Sequence, residues 1–372
     1  MINFWSYKRE FKKYKNPLLK AIKKTIFSGT IFFGKQLTSF EKHFIKEYKS
    51  KYGIAVGSGT DALLISLKAI GIKNGDEVIT AANTAIPTIS AIINAGAKPK
   101  LVDVGQDYLI DVNKIQKEIT SKTKAIIPVH LYGQTCDMEK IIKIANRNKL
   151  KIIEDCAQSQ GAKFKNKYAG TFGIAGCFSF YPTKILGAYG DGGFILTNDF
   201  KYYKKIKRLR FYGIETNDNK NKFQNQYYAN ENGFNSRLDE IQASMLNFKL
   251  KKTKNFIKKR RELANIYLKE LKKTDLKLPF ENKNCLHVYH LFTVYHKNAK
   301  TLISKLTKEK IGTRVIYPFP IHIMKAYKYL KFSKIKLKNS LDYSKKIICL
   351  PLYPELKSSE VKLICKKIKR IL

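Results

Sequence analysis

Between residues 50 and 200 the chain alternates between two hydrophobic periods. Short apolar, β-branched runs at 77–80, 100–102, 125–129, 151–154 and 176–179 predict buried strands. Between them, apolar positions recur at helical spacing over 61–70, 87–95, 111–119 and 137–149. Strands alternating with helices predict a mainly parallel sheet with helices on both faces, an α/β architecture. In such sheets ligands bind beyond the carboxyl ends of the strands, so polar residues just after each apolar run are the ones to inspect.

A long helical stretch follows Arg237, with Leu238, Ile241, Met245, Leu246 and Phe248 running toward a basic segment at 249–261. New strand and helix patterns appear beyond about residue 285, at 288–296, 302–310 and 360–371. A chain of 372 residues exceeds what one compact core usually holds. The pattern predicts a large domain over 1–250 and a smaller C-terminal α/β domain over 251–372, joined through the long helix.

Three segments place chemistry near strand ends. The first, Gly57-Ser58-Gly59-Thr60-Asp61, opens straight into a helix. Glycines let backbone approach a ligand, and a helix start offers free N–H groups to a phosphate. Simple capping of the helix by Thr60 or Asp61 is the plain alternative. In the second, the apolar run 152–153 ends in Glu154-Asp155-Cys156-Ala157-Gln158. A carboxylate at Asp155 could keep a heteroaromatic nitrogen protonated, and the Gln158 amide could reach a ring oxygen. An Asp that caps a turn has the same signature. The third places Lys184 within Phe178-Ser179-Phe180-Tyr181-Pro182-Thr183-Lys184 and ahead of Gly190-Asp191-Gly192-Gly193, with no other cation near it. Among apolar groups an ammonium loses solvation, and its pKa falls toward the neutral amine that bonds to an aldehyde. An exposed lysine after a Pro-Thr turn is the alternative.

Phosphate cradle, ring-nitrogen acid and reactive amine occur in the order found in fold-type I enzymes of pyridoxal phosphate (PLP), the aspartate aminotransferase-like transferases. The chain resembles the DegT/StrS family of sugar-nucleotide aminotransferases over effectively its whole length. Matching stretches are Ser58 to Leu63, Glu154 to Gln158, Ser179 to Lys184 with Gly190 to Gly193, and Asn235-Ser236-Arg237-Leu238-Asp239-Glu240 with Ile241-Gln242-Ala243. Phe27 to Gly34 followed by Phe40-Glu41 also fits. Ala82 to Thr88, Pro128 to Gln134 and Tyr181 to Lys184 are most similar to one subgroup, the dTDP-3-oxo-6-deoxyhexose 3-aminotransferases. That subgroup makes 3-amino-3,6-dideoxyhexoses for surface glycans or glycosylated natural products.

The resemblance implies that Lys184 holds the cofactor and moves a proton, Asp155 pairs with the ring nitrogen, and Gln158 bonds the ring oxygen. It implies that Gly59, Thr60 and Ser179 bind the phosphate, with Asn235 reaching it from the partner of a C2 homodimer. Tyr181, Tyr317 and His322 would stand at the sugar, L-glutamate would be the amino donor, and a nucleotide-linked keto-deoxysugar the acceptor. The chain departs from the family at two places. Many relatives have His where Ile316 stands, and many have an aromatic where Ala85 stands. Related alternatives are amination at C4 of a UDP-linked sugar and a 3-dehydrase. The latter carries His in place of the lysine, so Lys184 argues against it.

Charge raises a different possibility. Lys and Arg number 72 against 29 Asp and Glu, for a formal net charge of +43. Such a charge attracts polyanions, which makes a non-catalytic basic binding protein on this fold the rival of another class. The lysines, however, are spread along the chain without a dense block beside aromatics, which reads as lysine-rich composition rather than nucleic-acid binding. Retention of Lys184, Asp155 and Gln158 together also favours the enzyme. The six cysteines form no C-x-x-C pair or metal-ligand spacing. They read as reduced thiols of a cytoplasmic protein. No signal-peptide pattern opens the chain, and its most apolar window, 79–97, is interrupted by Asn83, Pro87 and Asn94, which excludes a membrane span.

Overall fold

The computed structural model describes residues 1–215, 228–333 and 335–372. Seven strands form the central sheet: β1 (Tyr52–Val56), β2 (Glu77–Ala81), β3 (Lys98–Val102), β4 (Thr123–Ile127), β5 (Lys151–Asp155), β6 (Ala175–Ser179) and β7 (Gly193–Thr197). Their order is β1-β7-β6-β5-β4-β2-β3. Neighbours from β6 across to β3 are parallel, and β7 alone runs antiparallel to both of its neighbours. The apolar runs predicted four of these strands closely because their side chains are buried on both faces, as Ile79, Ile126, Ile153 and Cys177 are.

Helices cover the two faces with different chemistry. On one lie α3 (Gly59–Ala69) and α4 (Ile86–Asn94), α5 (Met138–Arg147) links β4 to β5, and α6 (Phe200–Leu209) packs on α3; Leu63, Ile92, Ile141 and Ile206 are buried in one aliphatic core. On the other, α2 (Lys35–Tyr48) and α7 (Glu240–Leu250) close over an aromatic cluster. There the Phe44 ring lies 4.5 Å from that of Phe194 and 5.2 Å from that of Phe178. The N-terminal helix α1 (Tyr7–Phe27) packs on α7, where Glu10 and Lys249 form a buried ion pair.

The single long helix expected after Arg237 is two helices. Chain direction changes at Lys251 and Lys252, between α7 and α8 (Thr253–Leu271). The reason lies in packing: α7 gives Ala243 and Leu246 to the aromatic core, whereas α8 gives Leu263, Ala264, Tyr267 and Leu271 to another one. That second core lies around an antiparallel strand pair, β8 (Phe292–Tyr295) and β9 (Ile347–Leu350), with α9 (Ala299–Lys308) and α10 (Ser358–Ile371). The first residues of the chain join it, since Ile2 pairs with Ile311 and Trp5 packs against the cluster. Arg260 of α8 is fully buried and donates through Nη1 to the carbonyls of Tyr289 (3.2 Å), His290 (3.0 Å) and Leu352 (2.9 Å). One cation thereby fixes the segment that leads into β8. Among the described residues no helix is long and apolar enough to cross a membrane.

Candidate active site

Strands β1, β5 and β6 are parallel, so the three segments singled out by sequence emerge at one edge of the sheet. Two glycines let them touch. A Cβ on Gly193, at the start of β7, would lie 2.2 Å from the Ser58 carbonyl oxygen, and one on Gly59 would lie 2.7 Å from Ser179 Cβ. A side chain at either position would push the turns apart. The cap of α3 is Ser58, whose Oγ accepts from Asp61 N at 3.0 Å, rather than Thr60 or Asp61. Asp61 is engaged elsewhere: it accepts from Ser236 Oγ at 2.8 Å, and Ser236 Oγ accepts from Gly57 N at 2.9 Å. Gly59 and Thr60 occupy the first turn of α3, where backbone N–H groups have no intrahelical acceptor. Ser179 stands directly beside them.

Successive residues of a strand face opposite ways. At the end of β5 this separates two carboxylates into different tasks. Glu154 is fully buried and accepts from the backbone N–H groups of Gly170 (2.7 Å), Phe172 (2.7 Å) and Gly173 (2.8 Å). It also pairs with His130 Nε2 at 3.0 Å. Because His130 Nδ1 accepts from Cys136 N, the ring proton sits on Nε2 and points at the carboxylate. His130, Glu154 and Cys156 lie close enough together to ligate an ion, yet the Glu154 oxygens are already occupied by these donors, and the group braces the strand end. Asp155 faces the other way. Its Oδ1 accepts from Ala157 N at 3.1 Å and its Oδ2 from Thr88 Oγ1 at 2.9 Å.

Lys184 closes a turn, its N–H donating to the Tyr181 carbonyl at 2.9 Å. Its side chain enters a cavity of about 800 Å³ lined also by Gln158, Tyr181, Thr183, His290, Ile316 and Tyr317. Burial lowers the Lys184 pKa from the usual 10.5 to about 8, and the nearby Asp155 carboxylate opposes part of that fall. Gln158 is held at both ends: Oε1 accepts from Tyr132 N at 2.9 Å, and Nε2 donates to Tyr317 Oη at 2.7 Å. Tyr317 adopts a left-handed backbone (φ 63°), uncommon for an aromatic residue, at the point where it meets Gln158. Its hydroxyl proton is held well above the ordinary range by burial and then by Asp155. Asp155 is therefore near both Lys184 and Tyr317.

Six sequence candidates are not among the residues that line this cavity: Gly59, Thr60, Asp155 and Ser179 at the strand ends, and Asn235 and His322 elsewhere. Asn235 is exposed, bridged to Phe211 on the surface. His322 is buried on a short turn, Ile321–Ile323, whose Ile321 packs with Ala82 and Ile89. Ala85 forms the cap position of α4, which begins close enough to β5 for Thr88 to bond Asp155. Sequence reasoning missed Thr88 and His290. A hydroxyl one turn into a helix that starts after a strand end was the available signal for Thr88. His290 sits in an apolar strand run, where a lone histidine is unremarkable by pattern. Its Nδ1 is buried with no partner. Burial, then the charges of Lys184 and Arg260, push its pKa well below the usual value, so the ring is neutral.

These residues suit PLP. The cofactor needs an amine that sheds its proton, a carboxylate for its ring nitrogen and N–H donors for its phosphate. The fold brings the Asp155 carboxylate near Lys184 and sets the Gly59–Thr60 turn against Ser179. The DegT/DnrJ/EryC1/StrS aminotransferase family model matches residues 13–369. A dTDP-3-amino-3,6-dideoxy-alpha-D-galactopyranose transaminase of Aneurinibacillus thermoaerophilus is 38% identical, over 100% of this chain and 99% of its own length. A dTDP-3-amino-3,4,6-trideoxy-alpha-D-glucose transaminase of Micromonospora megalomicea subsp. nigra is 37% identical, over 95% of this chain and 94% of its own. The crystal structure of NtdA from Bacillus subtilis, with the cofactor PMP bound, superposes with a TM-score of 0.89 at 31% identity. The match covers 99% of this chain and 83% of that one.

Proposed function

The chain belongs to the DegT/DnrJ/EryC1/StrS aminotransferase family, and from that premise we propose that it aminates a keto-deoxysugar carried by a nucleotide, with PLP as cofactor. The substrate we infer is a dTDP-3-oxo-6-deoxyhexose, and the amino donor L-glutamate. Both similar transaminases act, by name, on dTDP-linked 3-amino sugars. The single observation that carries the reading is the amine of Lys184, poorly solvated and set beside the Asp155 carboxylate.

Bound PLP supplies an aldehyde that takes up amines and a ring that withdraws electrons from the carbon being deprotonated. The chain's own residues do the rest. Lys184 Nζ would hold the cofactor and, as a free amine, would take the proton from the reacting carbon and return it. A pKa of about 8 suits this exchange, because the amine is neither locked as an ammonium nor too weak a base near neutral pH. Asp155, oriented by Thr88 and Ala157 N, pairs with the ring nitrogen and keeps it protonated. Gln158 offers its remaining amide hydrogen to the ring oxygen while Tyr132 and Tyr317 hold the amide plane. Gly59, Thr60 and Ser179 bind the phosphate. Tyr181, half exposed at 52% on the cavity wall, and Tyr317 face the sugar.

An exposed Asn235 is compatible with action in a partner's site, and we infer a C2 homodimer in which Asn235 reaches the phosphate bound by the other subunit. Colour is the direct test of the reading. Purified protein should absorb in the visible through its lysine-bound cofactor, and Lys184→Ala should lose that band and turnover together. Wild-type protein that stays colourless with added PLP would remove the proposal. Initial rates with a dTDP-linked 3-keto-sugar and a UDP-linked 4-keto-sugar then separate the C3 reading from C4 amination.

A further inference from the structure

The wall of the same cavity carries a second cationic side chain. Charged side chains lining it are Lys184 and Arg314, and no Asp or Glu is among the lining residues. Five other arginines pair with carboxylates, Arg9 with Glu360, Arg208 with Glu231, Arg210 with Glu41, Arg261 with Glu281 and Arg370 with Glu309, whereas Arg147, Arg237 and Arg260, like Arg314, have no carboxylate ion pair among the described residues. Arg314 has no hydrogen-bond or ion-pair partner for its side chain among the described residues. Its backbone, by contrast, is clamped to β9. Arg314 N donates to the Cys349 carbonyl at 3.2 Å, and Cys349 N donates to the Arg314 carbonyl at 2.8 Å. The backbone of Arg314 is therefore fixed on the wall, while its side chain is exposed and uncompensated.

Along the segment just before it, the first residues of the chain are pinned as well. Ile2 N donates to the Lys310 carbonyl at 2.9 Å, and Gly312 N donates to the Ile2 carbonyl at 2.8 Å. A Cβ on Gly312 would lie 2.8 Å from Phe4 N, so the close approach depends on glycine there. This packing brings Phe4, Trp5 and Tyr7 to the cavity that Arg314 lines. A planar guanidinium with free donors, on a wall without carboxylates, is complementary to an oxyanion, which its fork can bind through two parallel N–H bonds.

We propose that Arg314 is the oxyanion-binding residue of this cavity, gripping either a phosphate of the nucleotide diphosphate or a carboxylate of the amino donor. The proposal rests on the aminotransferase reading for its two candidate anions.

The test uses holoenzyme in three forms: wild type, Arg314→Ala and Arg314→Lys. Calorimetry measures dTDP affinity, and the first half-reaction, followed by cofactor absorbance, gives the apparent affinity for L-glutamate. Losing a charge-assisted, two-pronged contact should weaken one of these roughly 10- to 100-fold in Arg314→Ala. Arg314→Lys should recover only part, because it keeps the charge and loses the fork. Weakened dTDP binding assigns the diphosphate, and weakened glutamate binding with normal dTDP assigns the carboxylate. Both affinities within twofold of wild type in Arg314→Ala would overturn the proposal. Absence of the lysine-bound band from wild type would instead sink the aminotransferase reading, while the dTDP arm would still report on Arg314.

Discussion

The floor at the strand ends and the outer wall of the cavity are made in different ways. Asp155, Ser179, Gly59 and Lys184 stand at or just beyond strand ends of one sheet, where ladder hydrogen bonds and a buried brace fix them. The wall is gathered from remote pieces: Trp5 and Tyr7 from the beginning of the chain, His290 from the approach to β8, and Arg314, Ile316 and Tyr317 from beyond α9. Few backbone ladders connect those pieces; local clamps such as Arg260, the Cys349 pairing and the Ile2–Ile311 bridge do so instead. A floor of this kind can keep one chemistry constant. A wall assembled from separate loops can change its residues, and with them the substrate, without disturbing that chemistry.

The sharpest way to break the contrast is at Asp155. Asp155→Ala should leave weak cofactor binding and reduce turnover by about three orders of magnitude or more, since the ring nitrogen loses its charged partner. Near-normal turnover would contradict the role given to the floor. A pH measurement sharpens it further. In cofactor-free protein the reactivity of Lys184 toward an acylating reagent should titrate near pH 8. Because Asp155 attracts the ammonium and raises that pKa, Asp155→Asn should move the midpoint lower. A midpoint that does not move would mean that the two groups do not sense each other.

A smaller and different effect is expected one residue back. Glu154→Gln removes the charge that serves His130 and the N–H groups of Gly170, Phe172 and Gly173. Breaking such a buried arrangement should cost about 3–5 kcal/mol of stability, read by chemical denaturation. If stability holds and only turnover falls, Glu154 belongs to the chemistry and not to the brace. On the wall, Tyr181→Phe should give the mildest change. Its hydroxyl is half exposed, so the sugar half-reaction should slow several-fold while the glutamate half-reaction stays near wild type. Equal losses in both halves would move Tyr181 from the wall to the floor.

Pattern alone revealed the inner strands of the sheet because burial on both faces makes their sequences continuously apolar. It did not reveal β7, whose three apolar residues Phe194, Ile195 and Leu196 follow a glycine run, nor that this strand runs antiparallel to its neighbours. Nor did it reveal the break between α7 and α8. The amphipathic pattern runs through Lys251 and Lys252 without a Pro or Gly, and only the existence of two separate cores requires the turn.

For the site, the local order of Gly59, Asp155 and Lys184 was readable because each motif carries its own strand end or turn, and a few neighbouring residues specify such features. Their meeting was a consequence of parallel strands sharing one edge. By itself, then, the sequence determined the class of fold and singled out a lysine and a carboxylate that the fold brings near each other. Tertiary structure alone decided that Thr88 orients Asp155, that His290 is neutral, and that Arg314 faces the cavity without a partner. These depend on contacts between residues tens to hundreds of positions apart, and on desolvation by the groups that surround them. Neither leaves a trace in local hydrophobic period or spacing.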